Sequence, residues 1–485
     1  MAFMKRSYGG IQPYIPCGIL RIRLPFVHFK ISPPEIVTGL MNACTSYGVL
    51  AVLISVLGLN PEVAWALVVF ETMMYTCNWL LGEPSICGWI TPAMAIVIVF
   101  LESFDPGVAR LHALTAVQLE LSLMFLILGA TGLSKKLNTL LPPGIKAGIV
   151  LGAGVNAVYA RLQEGGAVDT AAIGCIAGLI VVFFLMFSQR IRKHMDTHRV
   201  LQVLGNYSFL WAILALFLIG GVTGEFHYDF SGQIIRVPDF GALFMTVSPF
   251  FIGWAEPGVW IQAFPIALIA WVIAYGDFVT VQQLGMQALR DDEFIEFDPN
   301  RTNIICGIRN LVLSLFAPYP ALAGPLSAPY CVATYQRYKQ SGRQGMDSIY
   351  DGSATNTIFT VIGLFIFPLY EASLAASSAI LVVVLCIQGF VCAQICFDLA
   401  RDKMDQGLAG MIAGFILARG GGVGLAAGIV LYFLLADNSK IREDYRLNKK
   451  VQESEDRKTA DMLKELEEHR AAFKQGGFSS DGGDS

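Results

Sequence analysis

The sequence predicts an all-α polytopic membrane protein with about 14 transmembrane segments. Only 15% of its 485 residues are charged and 54% are hydrophobic, whereas soluble domains carry about 25% charged residues. Apolar stretches long enough to cross a bilayer recur from residue 35 to residue 437, and basic residues gather in every second loop between them. Such a chain cannot cover itself with polar side chains in water, so lipid is its expected solvent.

The candidate spans were placed by length, since a membrane-crossing helix needs roughly 20 mostly apolar residues. They lie at 35–57, 62–82, 86–101, 110–132, 142–162, 168–188, 206–226, 258–287, 302–318, 322–336, 353–370, 374–397, 405–418 and 421–437. The third and tenth are too short to cross alone. The chain thus divides into a basic N-terminal segment (1–34), seven spans (35–226), an extracytoplasmic loop (227–257), seven more spans (258–437) and a charged tail (438–485) that is expected to be a solvated helix.

The distribution of charge predicts the orientation, because cytoplasmic loops carry an excess of Lys and Arg. The N-terminal segment is basic, as are the loops that follow an even number of spans, with Lys135, Lys136, Arg190, Arg192, Lys193, Arg337, Lys339, Arg401 and Lys403. The long loop at 227–257 is acidic. Both termini are therefore expected in the cytoplasm, in a multi-pass protein of the cell (inner) membrane. No apolar stretch with a cleavage site begins the sequence, so no signal peptide is expected.

The third and tenth spans share a motif. The third begins Pro84-Ser85-Ile86-Cys87-Gly88-Trp89-Ile90-Thr91-Pro92-Ala93, here called the first break, and the tenth begins Pro320-Ala321-Leu322-Ala323-Gly324-Pro325-Leu326-Ser327-Ala328-Pro329, the second break. Both read Pro-x-x-x-Gly-x-x-Thr/Ser followed by Pro or Ala, with the glycines 236 positions apart. Two halves of seven spans insert with opposite topology, as in the inverted repeats of many transporters.

Proline and glycine in these two segments oppose a continuous helix. Backbone groups left open inside a membrane are tolerated only against protein or a water-filled cavity, so broken spans indicate a binding site. Each helix that restarts there aims its N-terminal amides at the break, which suits a negative group. The candidate substrate-binding residues are Gly88, Trp89, Thr91, Pro92, Ala323, Gly324, Leu326, Ser327 and Ala328. We expect Gly88–Ala93 and Gly324–Pro329 to lie within contact distance of each other, around one cavity near mid-membrane. A pair of kinked structural helices is the alternative.

Two stretches resemble the superfamily of sulfate permeases and nucleobase–cation symporters. Residues 141–152, with a proline pair followed by spaced glycines, are similar to that superfamily's fifth span. Residues 307–327, where a Gly-x-x-Asn helix leads into a Pro/Gly break that ends in serine, are similar to the ninth and tenth spans of sulfate permeases. The resemblance implies a fold of seven plus seven inverted spans, with a core domain and a gate domain, in a homodimer.

The chain departs from both subfamilies at the positions that read the substrate. Nucleobase symporters usually carry a glutamate in the eighth span, where Ile273 stands here, and the acid appears one turn later as Asp277. They also carry an acid in the tenth span, and this span has none. Sulfate permeases often place arginine after the tenth-span serine, where this chain has Ala328. The tail is too short for the soluble regulatory domain that many sulfate permeases have.

Ionisable residues within the spans are functional candidates, because a charge at mid-bilayer is costly. Asp277 and Thr280 lie on one helix face and form the candidate cation-coupling pair, for Na⁺ or for H⁺. The alternative for Asp277 is a structural ion pair with Arg309 or Lys146. Glu71 and Glu120 are expected in structural salt bridges, with Lys146 as the candidate partner of Glu120. Arg309 is expected to extend to the cytoplasmic face, and its alternative role is to hold an anion.

These features favour a secondary transporter of a small anion, of the sulfate, bicarbonate or carboxylate class, working by alternating access. The alternatives are a nucleobase (uracil- or xanthine-like) cation symporter, with Trp89, Tyr319 and Tyr330 able to stack on a ring, and an uncoupled anion channel on the same fold. The sequence has no Walker phosphate loop and no enzyme-like constellation, so no enzyme activity is expected. No cofactor, metal site or nucleic-acid partner is expected; Na⁺ as a coupling ion is the exception.

Overall fold

The structure is a computed structural model that describes residues 4, 6–162, 167–195, 199–206, 208–451, 453–454, 457 and 464. Side chains of a few of these, Thr280 and Ala328 among them, are outside the description. The part of the tail beyond residue 464 falls outside it as well.

The chain is mostly helical, as predicted. In the first half the helices are α1 (Pro33–Ser46), α2 (Leu50–Ser55), α3 (Pro61–Met73), α4 (Thr76–Leu81), α5 (Thr91–Glu102), α6 (Val108–Thr131), α7 (Ser134–Leu140), α8 (Pro143–Leu162), α9 (Ala167–Thr170), α10 (Ala172–Phe187), α11 (Gln189–Met195), α12 (Arg199–Asn206) and α13 (Ser208–Val222). They are followed by α14 (Phe240–Val247), α15 (Pro249–Ile252), α16 (Pro257–Gln287), α17 (Pro299–Phe316), α18 (Ala328–Gly345), α19 (Ile349–Gly363), α20 (Phe367–Ala375), α21 (Ser377–Leu399), α22 (Lys403–Arg419), α23 (Gly421–Leu435) and α24 (Asn438–Val451).

Among the described residues, 4 helices are individually long and apolar enough to cross a membrane: Pro33–Ser55, Val108–Thr131, Pro257–Phe278 and Ser377–Leu399. The pair α23 and α24, bent by 119°, is a further candidate, and Thr91–Glu102, Ala172–Phe187 and Leu210–Val222 are shorter apolar helices. The molecule is thus a multi-pass membrane protein. The count of fourteen spans and the repeat of seven plus seven stay predictions.

Helices from the two halves of the chain pack against one another. Helix α1 packs on α19, and α6 packs on both α16 and α17. Helix α8 packs on α21 and α22, while α10 packs on α13 and α22 on α23. Apolar side chains of α6, α8, α16, α22 and α23 are buried in one large core, and those of α10 and α13 form a second core with part of α21. The two halves therefore form a joint body rather than two successive domains.

In the described part of the chain, three short two-stranded sheets interrupt the all-α architecture. Strand β1 (Gly10–Ile11) pairs in parallel with β5 (Glu293–Phe294), β2 (Ile15–Cys17) forms a hairpin with β3 (Leu20–Ile22), and β4 (Gly88–Trp89) pairs antiparallel with β6 (Ala323–Gly324). The first two lie in and beside the basic N-terminal segment. Strands this short carry no alternating pattern in the sequence, which is why a purely helical fold was expected.

The N-terminal segment is folded onto the loops that follow α16 and α18. Its Arg6 is buried and donates from Nη2 to the carboxylate of Asp292 at 3.2 Å and to the backbone oxygen of Asp347 at 2.6 Å. The segment is therefore a packed element and more than a run of positive charge.

The predicted extracytoplasmic loop also contains structure, since residues 227–257 include α14 and α15. In the same stretch the guanidinium of Arg236 pairs with Glu62 at 3.0 Å, in a contact that ties the loop to the first turn of α3.

The charged tail was expected to be a solvated helix, and its first part is instead anchored. Lys440 of α24 contacts Asp402 at 2.6 Å and Asp444 at 3.0 Å. The side-chain amide of Asn448 donates to the backbone oxygens of Thr139 and Leu141, both at 3.0 Å. The prediction of a helix was correct for this part of the tail, but its polar side chains also contact the start of α22 and the α7–α8 connection.

Candidate functional site

The two breaks meet each other. Gly88 is paired with Gly324 and Trp89 with Ala323 in the antiparallel sheet of β4 and β6, here called the crossing. Beyond the strands, the amide of Ser327 donates to the backbone oxygen of Ile86 at 2.8 Å. The prediction that the two breaks are in contact is confirmed.

Glycine is required at the crossing because the two backbones approach closely. A Cβ atom on Gly324 would lie 2.9 Å from the carbonyl carbon and oxygen of Trp89, which are backbone atoms and cannot rotate away. A Cβ on Gly88 would lie 3.1 Å from both the carbonyl oxygen of Leu326 and the Cβ of Ser327. Leu322, just before β6, has a φ of +49°, a strained conformation for a leucine. The shared glycines of the motif therefore mark the contact itself.

A helix begins directly after each strand of the crossing. Helix α5 follows β4, and α18 follows β6. Because the strands are antiparallel, the two helices leave in opposite directions, and both N-termini lie at the crossing. Neither N-cap residue, Ile90 or Ser327, makes a side-chain hydrogen bond to the amides of the first turn. Pro92 and Pro329 lack an amide, but the remaining first-turn amides at these two positive helix ends have no side-chain cap, an arrangement that can bind an anion.

Side chains of α17 and α6 fix the second break. The side-chain amide of Asn310 donates from Nδ2 to the backbone oxygen of Ala323 at 2.8 Å, and its Oδ1 accepts from the backbone nitrogen of Ala323 at 3.0 Å. Gln118 of α6 donates to the Asn310 oxygen at 3.1 Å and accepts from the amide of Tyr319 at 2.8 Å. The Gly-x-x-Asn motif is visible in the sequence, but neither this role of Asn310 nor that of Gln118 was predicted from it.

Arg309 lies directly behind the crossing. It is fully buried, and its guanidinium donates to the backbone oxygens of Gly324 at 2.7 Å and Gly88 at 3.4 Å. The expectation that it extends to the cytoplasmic face is wrong, because the carbonyls of both breaks hold it inside the bundle. Its nearest carboxylate is that of Glu71, at 4.0 Å. The expected salt bridge of Glu71 exists as this long pair, and the alternative that Arg309 pairs with Asp277 is wrong.

Asp277 lies on α16 near the breaks. It is half-buried, and among the described residues no hydrogen bond or ion pair to it is found. One turn later, Val281 packs in an apolar cluster with Ile86 of the first break and Leu326 of the second. The helix that carries Asp277 therefore contacts both breaks. The side chain of the second predicted coupling residue, Thr280, is outside the description.

The aromatic residues expected near the breaks lie there. The ring centroids of Trp89 and Tyr319 are 6.1 Å apart, at an angle of 47°. Tyr319 is fully buried and Trp89 half-buried. Pro92 is at the second position of α5, where its missing amide costs no helical hydrogen bond.

Glu120, on α6, does not form the salt bridge that was expected. It is half-buried, and its Oε2 atom is buried without a hydrogen-bond partner in the described part of the chain. No ion pair joins it to Lys146 or to any other described residue. The prediction failed because α8, which carries Lys146, packs mainly on α21 and α22 rather than on α6.

Comparison with solved structures identifies the fold. The transmembrane domain of the cyanobacterial bicarbonate transporter BicA matches with a TM-score of 0.51 and 16% identity, over 81% of this chain and 96% of that one. The murine Solute Carrier 26 family member A9 (Slc26a9) anion transporter, in the inward-facing state, matches with a TM-score of 0.52 and 12% identity, over 84% of this chain and 68% of that one. No protein-family model and no curated protein sequence matches. The chain is thus a multi-pass membrane protein with the fold of sulfate permease (SulP) and Slc26 transporters.

Proposed function

We propose that this protein is a secondary active transporter that moves a small anion across the membrane by alternating access. The observation that carries the proposal is the crossing, where two uncapped helix N-termini meet in front of the buried guanidinium of Arg309. Positive helix ends and a buried cation together favour a negative solute. The described transport of bicarbonate by BicA and of anions by Slc26a9 supports the same class of solute.

Coupling to a cation gradient is assigned to Asp277 with Thr280. Asp277 is an acid on a helix that contacts both breaks through Val281, and it has no ion pair among the described residues. A carboxylate in this position can take up Na⁺, with the hydroxyl of Thr280 one turn away on the same face, or H⁺. Either ion would make anion uptake depend on a gradient that the cell maintains.

The transport cycle is proposed to follow the seven-plus-seven architecture, with a core that carries the crossing and a gate of the fifth to seventh and twelfth to fourteenth spans, in a homodimer. The packing supports the repeat: an offset of 236 residues relates α1 to α16 and α6 to α19, and α1 packs on α19 just as α16 packs on α6. A rocking motion of the core against the gate would expose the crossing to each side in turn.

The test is uptake of labelled sulfate, bicarbonate, fumarate and uracil into proteoliposomes, each with an imposed Na⁺ gradient, an imposed pH gradient or no gradient. We expect saturable uptake of at least one anion, accelerated by one of the two gradients. Uptake of uracil alone would favour the nucleobase alternative. Anion flux that does not saturate and that neither gradient drives uphill would identify an uncoupled channel.

A further inference from the structure

A buried acid–base pair lies immediately behind the crossing. Glu71 of α3 and Arg309 of α17 are both fully buried, with Oε1 of Glu71 4.0 Å from Nη2 of Arg309. The same guanidinium donates to the backbone oxygens of Gly88 and Gly324, one from each break. The charge of this pair therefore acts at the position where the two helix N-termini begin.

The surroundings of the Glu71 carboxylate do not suit a permanently ionised group. Donor groups of Thr72, Tyr75 and Trp89 face it, but none of them makes a hydrogen bond of ordinary geometry to either of its oxygens. A buried carboxylate that stays charged normally accepts several hydrogen bonds, because the loss of water must be offset. Other buried polar atoms around it also lack partners in the described part of the chain, namely Thr72 Oγ1, Trp89 Nε1, Arg309 Nε and Tyr319 OH.

The other titratable groups that face Glu71 are uncharged under ordinary conditions. They are the phenols of Tyr75 and Tyr319 and the thiol of Cys87. The ring of Tyr75 lies 5.2 Å from the Arg309 guanidinium. Within the described residues, Arg309 is thus the charged partner of Glu71. A change in the charge of Glu71 therefore alters mainly how far the positive charge of Arg309 is compensated.

We infer that Glu71 and Arg309 form a proton-linked counter-charge for the anion site. With Glu71 ionised, the pair is neutral and the crossing offers only its helix dipoles. When Glu71 binds a proton, the positive charge of Arg309 is no longer compensated and becomes available to an anion at the crossing. Proton binding at Glu71 and anion binding at the crossing then favour each other. This inference rests on the proposed function, because it presumes an anion at the crossing.

The sign of the effect follows from linkage. Since the proton favours the anion, the anion must favour the proton by the same factor. Anion affinity rises as the pH falls through the range in which Glu71 titrates, by up to about tenfold for each pH unit with one fully linked proton. Glu71→Gln, which has the shape and the neutrality of the protonated acid, should hold the site in its high-affinity form at every pH.

The experiment measures binding of sulfate, chloride and nitrate to the purified full-length protein in nanodiscs at pH values from about 5 to about 8. None of these anions changes its own charge in this range. Four proteins are compared: the wild type, Glu71→Gln, the double variant Glu71→Gln/Arg309→Gln, and Glu120→Gln as a matched control. Glu120 is an intramembrane acid on α6 without an ion pair among the described residues.

In the wild type and in Glu120→Gln, we expect anion affinity to increase on acidification. Glu71→Gln should bind tightly and independently of pH, and the double variant weakly and independently of pH. A pH dependence that persists in Glu71→Gln, or in the double variant should the single variant not fold, overturns the inference. Wild-type binding that is strong but insensitive to pH overturns it and leaves the proposed function intact. Absence of binding of all three anions at every pH overturns both.

Discussion

The two breaks share a motif but are held in place very differently. The strand of the second break, β6, is fixed from outside by α17, through two hydrogen bonds between Asn310 and Ala323 and one from Arg309 to Gly324. In the first break, Ser85 accepts a hydrogen bond from Asn78 and the backbone oxygen of Pro84 accepts one from Ser353. Among the described residues, however, its strand β4 receives from outside the crossing only the longer 3.4 Å bond from Arg309 to Gly88. The comparison teaches that β6, in the second break, is the fixed strand of the crossing and β4, in the first break, is the dependent strand.

The largest loss of stability and transport is expected when Asn310, which fixes β6 in the second break, is replaced. Asn310→Ala leaves the backbone nitrogen and oxygen of Ala323 buried without their partners, at a cost of roughly 2–4 kcal/mol in the free energy of unfolding, and anion transport should be lost. Unfolding in mixed micelles and uptake in proteoliposomes measure the two effects. The matched control is Asn303→Ala, in the same helix, whose side chain donates among the described residues only to the backbone oxygen of Pro299. If both variants lose the same stability, the anchoring role of Asn310 is contradicted.

A second prediction compares the two glycines of the crossing. Gly324→Ala forces a methyl group to within 2.9 Å of fixed backbone atoms of Trp89, whereas Gly88→Ala meets the Leu326 oxygen and the Ser327 Cβ at 3.1 Å. Overpacking of this kind costs about 1–3 kcal/mol. We expect Gly324→Ala to lower both the melting temperature and anion affinity more than Gly88→Ala does. The reverse order would mean that the first break is the rigid one.

The third prediction concerns coupling rather than shape. Asp277→Asn keeps the size of the side chain and removes its charge, so anion binding should survive while gradient-driven accumulation collapses. Counterflow exchange, which needs no net movement of the cation, should persist. Binding by calorimetry and uptake in the same proteoliposome preparation separate these properties. A well-folded Asp277→Asn protein that still concentrates an anion against its gradient rules out the coupling role.

The smallest loss of stability and transport is expected when the hydrogen bonds of Ser85, in the first break, are removed. Ser85 accepts a hydrogen bond from Asn78 at 3.3 Å and donates to the backbone oxygen of Pro325 at 3.2 Å. Ser85→Ala should cost about 1 kcal/mol and reduce transport only slightly, as read from a melting curve and an uptake rate. A loss as large as that of Asn310→Ala would show that the first break is anchored independently.

The two breaks could be predicted from the sequence because prolines and glycines that oppose a helix are a local signal, and the repeat of the motif in both halves predicted that the breaks meet. The partners of Arg309 could not, because its position near the start of a span suggested a route to water. Its actual acceptors, Gly88 and Gly324, are brought together only by the tertiary fold. The short N-terminal strands likewise have no periodic signal of their own; β1 exists because Glu293–Phe294 offers it an edge.

The central claim is that an anion binds between the N-termini of α5 and α18. The direct measurement is a crystal structure of the protein with selenate, and a second with bromide, in which anomalous scattering locates the anion. The account predicts a peak at the crossing, within hydrogen-bond distance of first-turn amides of both helices. A well-ordered anion peak elsewhere in the bundle, with none at the crossing under conditions in which the protein binds that anion, would contradict it.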